Sequence, residues 1–144
     1  MKADCVFCRI LSGGIPAFPV FEDEISLAFL DDRPLFPGHC LLVPKQHIET
    51  LAELPADRIG PFFTNAQRLA IAVERAMRAE GSFVAINNRV SQSVPHLHVH
   101  VVPRRKKDGL RGFFWPRNRY ANEDEMREAQ EAIRAAIAQP GRDQ

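Results

Sequence analysis

Apolar positions change period several times along the chain, and each change marks an element. Phe18 to Phe21 and Ile25 to Asp31 read as short strands separated by the turn-like Glu22-Asp23-Glu24. Two prolines and a glycine punctuate the connection Asp32-Arg33-Pro34-Leu35-Phe36-Pro37-Gly38. A strand from His39 to Val43 follows, ended by Pro44. Ile59, Phe62, Ala66, Leu69, Val73 and Met77 then recur at intervals of three and four. That spacing predicts a helix with Asp57 as its N-cap, Pro61 in its first turn, an end near Ala79 and Gly81 as the stop. Ser82 to Asn88 and His96 to Val102 return to strand patterning around the polar connection Arg89-Val90-Ser91-Gln92-Ser93. A last helix starts at Asn122 with Glu125 as its capping-box partner. Met126, Ala129, Ile133 and Ile137 form its stripe, and 139–144 reads as a frayed end.

Strands in hairpin-like succession around one long helix predict an α+β fold with a mainly antiparallel sheet, because strand and helix do not alternate. The expected organisation is one domain over residues 1–120, followed by a C-terminal helix and tail over 121–144. A chain of 144 residues and 16.3 kDa suits a single core that needs no cross-links. No apolar run approaches a membrane span, and Met1-Lys2-Ala3-Asp4 lacks the apolar stretch of a signal peptide. The cytoplasm is therefore the expected compartment, with no membrane partner.

Nineteen basic and eighteen acidic side chains give a net charge of +1, which argues against a protein that coats nucleic acid. The near balance hides an asymmetry. Residues 104–119 hold seven basic groups and one acidic, a net of +6, leaving −5 for the rest. Such a strip can serve polyphosphates. The segment from Arg104 to Arg117, with Phe113, Phe114 and Trp115, reads either as a solvated basic loop ending in an aromatic cluster or as a lip touching substrate through Trp115 or an arginine.

Three cysteines without an export signal do not read as a disulfide framework. Cys5 and Cys8 have chelate spacing, whereas Cys40, between His39 and Leu41-Leu42-Val43, reads as a buried small hydrophobe. The most informative segment is Pro95-His96-Leu97-His98-Val99-His100-Val101-Val102-Pro103. Three of five histidines stand two residues apart, so in a strand their side chains share one face. Three crowded imidazoles without a task would be costly in desolvation and, when protonated, in repulsion. Two chemistries can use the row. The histidines can hold a catalytic zinc with an open water position, or one imidazole can act as a nucleophile that its neighbours orient. Cys5, Cys8 and His47 add further ligands. Two thiolates with two imidazoles would close a structural zinc site, use one histidine of the row and free the other two.

Pro37-Gly38-His39-Cys40-Leu41-Leu42-Val43-Pro44-Lys45-Gln46-His47 and Gln92-Ser93-Val94-Pro95-His96-Leu97-His98-Val99-His100, with the opening Cys5-Val6-Phe7-Cys8-Arg9-Ile10, resemble the histidine-triad (HIT) family. They resemble in particular its Hint-like, zinc-bearing branch of nucleotide hydrolases, over about Cys5 to Arg104. The resemblance implies that His98 attacks the α-phosphorus of a nucleoside phosphoramidate or dinucleoside polyphosphate. A nucleotidyl-histidine forms, and water releases the nucleoside monophosphate. It implies His100 on the same phosphate with His39 behind it, and zinc on Cys5, Cys8, His47 and His96. It assigns Asp31 to the ribose hydroxyls, and Asn87, Gln92 and Ser93 to the phosphate and leaving group. It further implies a purine nucleotide substrate and a homodimer whose two five-stranded sheets join into one of ten strands. Asp31 also suits a bland role, as a carboxylate that starts a turn. Two features depart from the family pattern: Arg89-Val90-Ser91 stands where many relatives are glycine-rich, and the segment after Arg104 is not standard. The residues alone leave other readings open: a nucleotide-sensing module with negligible turnover, an adenylate-removing nucleic-acid repair activity, and a zinc-water hydrolase built on all three histidines.

Overall fold

The computed structural model describes residues 1–110 and 118–138. Its elements are α1 (Val6–Leu11), β1 (Pro19–Glu22), β2 (Ser26–Leu30), β3 (Cys40–Pro44), a 3-10 turn (Leu51–Glu53), α2 (Ala56–Ala76), β4 (Gly81–Ala85), β5 (Val99–Arg104) and α3 (Glu123–Ala138). Contacts divide the chain into two units, Met1–Asp108 and Gly109–Gln144.

In the first unit five antiparallel strands form one sheet in the order β1-β2-β3-β5-β4. The α+β antiparallel architecture expected from the sequence is therefore present. Alternation splits the sheet's side chains between two cores. Ala28, Cys40, Leu42, Val99 and Val101, with Leu97 just before β5, pack under Phe62, Ala66, Leu69 and Val73 of α2. Leu27, Phe29, Leu41 and Val43 face the other way and meet Phe7 and Cys8 of α1. All five residues of β3 are buried, so the central strand is apolar on both faces.

Several boundaries differ from the sequence expectation, each for a local reason. The strand expected from His96 begins at Val99, because the His96 N–H bonds the Val94 carbonyl and the Leu97 N–H bonds the Ile48 carbonyl. The strand expected to reach Asn88 ends at Ala85. Helix α2 starts one residue before the expected cap, with Pro55 at its boundary, and Pro61 lies in the second turn. There its missing N–H removes one i→i−4 bond. The helix stops at Ala76, and Arg78 takes the left-handed conformation (φ 51°) that the sequence assigns to Gly81. Gly81 instead opens β4. Helix α1 and the 3-10 turn are too short to show a period in sequence.

In the second unit Asn122 caps α3 as expected, its Oδ1 accepting the Glu125 N–H at 2.9 Å, while the Glu125 carboxylate accepts the Ala121 N–H. Met126, Ile133 and Ile137 are exposed, the last at 78%. The expected aromatic cluster at 113–115 and the frayed end lie outside the described residues.

Helix α2 is tied to the β1–β2 turn by a buried polar knot. Asn65, 4% exposed, donates its Nδ2 to Asp23 Oδ2 at 2.6 Å and to Ser26 Oγ at 2.9 Å. The Ile25 and Ser26 N–H groups donate to Asp23 Oδ1 at 2.9 and 2.8 Å. Burial pushes the Asp23 carboxyl up, but these donors, Asn65 foremost, outweigh it and hold the group below the usual carboxylate range. A depressed carboxyl contributes stability above its unfolded value, about 3.9, and loses it as pH falls through the folded value. Asn65→Ala is expected to cost about 1–3 kcal/mol at pH 7. Urea unfolding should show that gap to wild type narrowing below about pH 4.

Candidate functional site

Strand register assembles the site. The pairs Leu30↔Cys40 and Leu41↔His100 carry the β2 and β3 ends toward β5, and the Asp31 N–H bonds the His39 carbonyl at 3.0 Å. His39 Nε2 then lies 3.0 Å from His100 Nδ1 and 3.6 Å from Asp31 Oδ2. Asp31 Oδ1 accepts the Arg33 N–H at 2.8 Å, the turn-starting bond of an aspartate. Asp31, His39 and His100 thus form one cluster.

His98 is buried beside them, its ring centroid 4.9 Å from that of His100 and 5.1 Å from Phe7, whose ring meets it edge-on. His98 Nδ1 is 2.7 Å from the His96 carbonyl oxygen, so Nδ1 carries the proton and donates it. The lone pair is left on Nε2, the nitrogen that points away from the backbone.

His96, fully buried, holds its tautomer in the opposite sense. Its Nε2 lies 2.9 Å from the Pro44 carbonyl oxygen and donates there, which frees Nδ1 as a ligand atom. That Nδ1 is 3.5 Å from Cys5 Sγ and 3.7 Å from Cys8 Sγ, and His47 Nδ1 is 3.3 Å from Cys8 Sγ. The four ligand atoms of Cys5, Cys8, His47 and His96 all lie within 4.8 Å of one another. Tetrahedral zinc, with bonds of about 2.0–2.3 Å, requires ligand separations of roughly 3.3–3.8 Å. The three measured separations and the sulfur–nitrogen donor set fit zinc. Backbone amides already point at both sulfurs: Cys8 N–H at Cys5 Sγ, 3.5 Å, and Lys2 N–H at Cys8 Sγ, 3.3 Å. Cys5 also caps α1, which fixes the chelate. Among the described residues the three histidines of the row form no common ligand cluster, since His96 and His100 belong to different ones and His98 to neither. This arrangement speaks against the zinc-water reading.

The remaining residues singled out by sequence stand apart. The Gln92 side chain clamps its own loop, accepting the Arg89 N–H at 2.7 Å and donating to the Glu49 carbonyl at 2.6 Å. Ser93 is exposed and lines a surface pocket with Cys5, His47 and Val94, while Asn87 is half-buried. Among the described residues neither side chain hydrogen-bonds His98 or His100. Arg89 and Ser91 take positive φ, 66° and 59°, so non-glycine residues carry the left-handed turns of this short loop. The head of the basic strip is engaged internally. Arg104 pairs with Asp108 at 2.6 Å, Arg105 donates to the Met77 carbonyl, and the Lys106 N–H bonds Glu80. Trp115, the expected lip residue, lies outside the described residues. Phe7 and the carbonyls of Pro44 and His96 are not marked by the sequence. The carbonyls leave no trace in residue identity, and Phe7 becomes visible only through α1.

The fold and the ring of histidines define a class: an antiparallel α+β domain with paired imidazoles where β5 begins and a Cys–Cys–His–His cluster alongside. A family model described as the HIT domain matches residues 12–107, and the chain belongs to the HIT family. It is 42% identical over 107 residues to an uncharacterised HIT-like protein of Methanocaldococcus jannaschii, covering 73% of this chain and 82% of that one. It is 37% identical over 113 residues to an adenosine 5'-monophosphoramidase of Saccharomyces cerevisiae, covering 76% and 69%. Among solved structures, a protein from Streptococcus mutans matches at a TM-score of 0.86 with 33% identity, covering 95% and 87%. A zinc-bound histidine triad protein from Mycobacterium smegmatis matches at 0.70 with 37% identity, covering 92% and 97%.

Burial, reinforced by His98 and His39, pushes the His100 imidazole down to about 4. Burial first, then His47, lowers His96 to about 4 against the opposing bond to Pro44. A histidine depressed on folding is neutral in the native protein while its unfolded form, near 6.5, takes up protons. Stability therefore falls as pH drops from about 6.5 toward 4, because the unfolded chain binds more protons in that window. Denaturant unfolding at steps between these limits should show that slope, and His100→Asn should flatten it.

Proposed function

We propose that the protein is a nucleotide hydrolase or transferase of the Hint-like, zinc-bearing branch. It cleaves at the α-phosphate of purine nucleoside phosphoramidates, with dinucleoside polyphosphates as the next substrate class. The observation that carries this reading is the 2.7 Å contact from His98 Nδ1 to the His96 carbonyl, which leaves an uncharged nucleophilic lone pair on Nε2. The yeast phosphoramidase relative supports the same reaction.

In the proposed reaction His98 Nε2 forms a bond to the α-phosphorus as the bond to the leaving group breaks. The leaving group departs with the electron pair and takes up a proton, with Ser93 as the assisting hydroxyl. The imidazolium of the nucleotidyl-histidine keeps its Nδ1–H on the His96 carbonyl, which offsets the new charge. Water then attacks phosphorus, the N–P bond breaks back to Nε2, a proton passes to solvent, and nucleoside monophosphate leaves. His100 binds the same phosphate, Asp31 the ribose, and Asn87 and Gln92 the phosphate margin. Incubation with adenosine phosphoramidate and an alkaline quench should trap adenylate on His98. His98→Ala should lower turnover about ten-thousandfold or more. Wild-type turnover in that variant would defeat the covalent route. Nucleotide binding by the wild-type protein with no turnover would favour the sensing module.

Zinc is proposed as a structural centre on Cys5, Cys8, His47 and His96. With four protein ligands it keeps no open position for substrate, and what it supplies is cross-linking of α1 to the segments around His47 and His96. Metal analysis should find about one zinc per chain, and Cys8→Ser should lose it. Chelation should lower the melting temperature, with turnover retained in the molecules that remain folded.

The proposal includes a homodimer with a continuous ten-stranded sheet. Its support is the edge strand β4, where Val84 is 47% exposed, together with a second apolar stripe of Ile59, Phe63 and Ile71 on the outer side of α2. A cytoplasmic setting is part of the same proposal, supported by three free cysteines. No described helix is long and apolar enough to cross a membrane.

A further inference from the structure

His39 and His100 share a single proton across 3.0 Å, and which nitrogen owns it decides what His100 can offer a phosphate. The turn before β3 settles the ownership. The His39 N–H bonds the Phe36 carbonyl at 3.0 Å, with Pro37 and Gly38 between them. Proline then glycine at φ 94° is the sequence and geometry of a type II turn. The turn is braced from behind: a Cβ on Gly38 would lie 2.5 Å from Met77 Cγ, so the backbone is seated against α2. Held this way, the loop aims the Leu35 main-chain N–H at His39 Nδ1, 3.1 Å away.

We infer that the Leu35 amide is a positioning group that sets the proton arrangement of the catalytic imidazoles, fixing His100 as a hydrogen-bond donor at Nε2. A nitrogen that accepts from Leu35 has no proton, so the proton of neutral His39 is on Nε2 and is donated to His100 Nδ1. His100 Nδ1 is then an acceptor, and its own proton is on Nε2. His98 is fixed with the reverse polarity by the His96 carbonyl. Adjacent rings 4.9 Å apart therefore differ: one offers a lone pair for attack, the other an N–H for a phosphate oxygen. The Asp31 carboxylate, 3.6 Å from His39 Nε2, favours the proton staying there. The same polarity excludes a metal on the Asp31–His39–His100 cluster. A metal on His39 Nε2 would require the proton on Nδ1, against the Leu35 N–H.

This inference rests on the proposed reaction at His98, and its test separates the two. Long-range proton–nitrogen correlation spectra of the 15N-labelled, zinc-loaded protein at neutral pH report which imidazole nitrogens carry protons. The expected pattern is Nε2–H at His39 and His100 and Nδ1–H at His98. Nδ1–H at His39 would overturn the inference even in an active enzyme, whereas failure to trap an adduct on His98 would sink the reaction and leave the tautomers readable. Leu35→Pro removes the amide proton of an exposed residue, and its ring also fixes φ at position 35 and sets Cδ where the N–H met His39 Nδ1. It should lower kcat about 10- to 100-fold with KM nearly unchanged and shift His39 toward Nδ1–H. Leu35→Ala keeps the amide and should rescue both readouts. Wild-type kcat in a folded Leu35→Pro protein would refute the assignment. Should that variant fail to fold, the spectra of the wild-type protein decide.

Discussion

One peptide unit joins the two centres of this molecule. His96 contributes its ring to the Cys–His cluster and its carbonyl to the ring of His98. Neither can move without the other, because the His96 ring is itself pinned to the Pro44 carbonyl at the end of the central strand. The Leu97 N–H is held by the Ile48 carbonyl, which leaves no slack between the two histidines. The segment is not a ladder strand at this point. Its Leu97 N–H goes to Ile48 and its His96 N–H to Val94, which lets one carbonyl aim at an imidazole instead of at a neighbouring strand.

The two-faced sheet explains why the site can be both buried and rigid. Leu97, Val99 and Val101 bury into the core under α2, so the alternate positions 96, 98 and 100 must lie on the opposite side, where α1 provides the cover. A one-residue slip of β5 against β3 would send the histidines into the α2 core. Each would then meet apolar side chains with its hydrogen-bonding nitrogens unpaired, at a cost of several kcal/mol. Core packing thus acts as the register lock for the chemistry. Phe7 has a matching part from α1, setting ring edges against His96 and His98.

The α+β class, the long helix and the histidine row are legible in the sequence because each has a period that repeats several times. What the sequence hides is carried by backbone atoms or by elements too short to repeat. Helix α1 has six residues, and its one sign in the sequence is the chelate spacing of Cys5 and Cys8, since fewer than two turns cannot display an apolar stripe. The end of α2 falls short of the glycine that would ordinarily mark it. Arg78 takes the left-handed conformation instead, next to Arg105, which donates to the Met77 carbonyl and anchors the segment after β5 there. Gln92 is the instructive case among the site residues. A glutamine in a polar connection looks free to meet a ligand, yet its carbonyl and one of its two N–H groups are engaged by main-chain partners. Residue type suggests a chemistry there, and the hydrogen-bond count limits it.

Histidines of one motif, chemically identical in sequence, are made different by three main-chain groups. The Pro44 carbonyl takes the Nε2 proton of His96 and leaves a soft-metal ligand at Nδ1. The His96 carbonyl accepts the Nδ1–H of His98 and leaves a lone pair at Nε2. The Leu35 amide fills Nδ1 of His39 and, through one further bond, leaves a donor at Nε2 of His100. None of the three needs a charged partner, which suits a site whose burial disfavours imidazolium. An anionic neighbour would raise an imidazole's proton affinity as well as orient it, and a cationic one would lower it. Neutral backbone dipoles orient without adding charge, so the proton pattern at these rings follows from main-chain geometry.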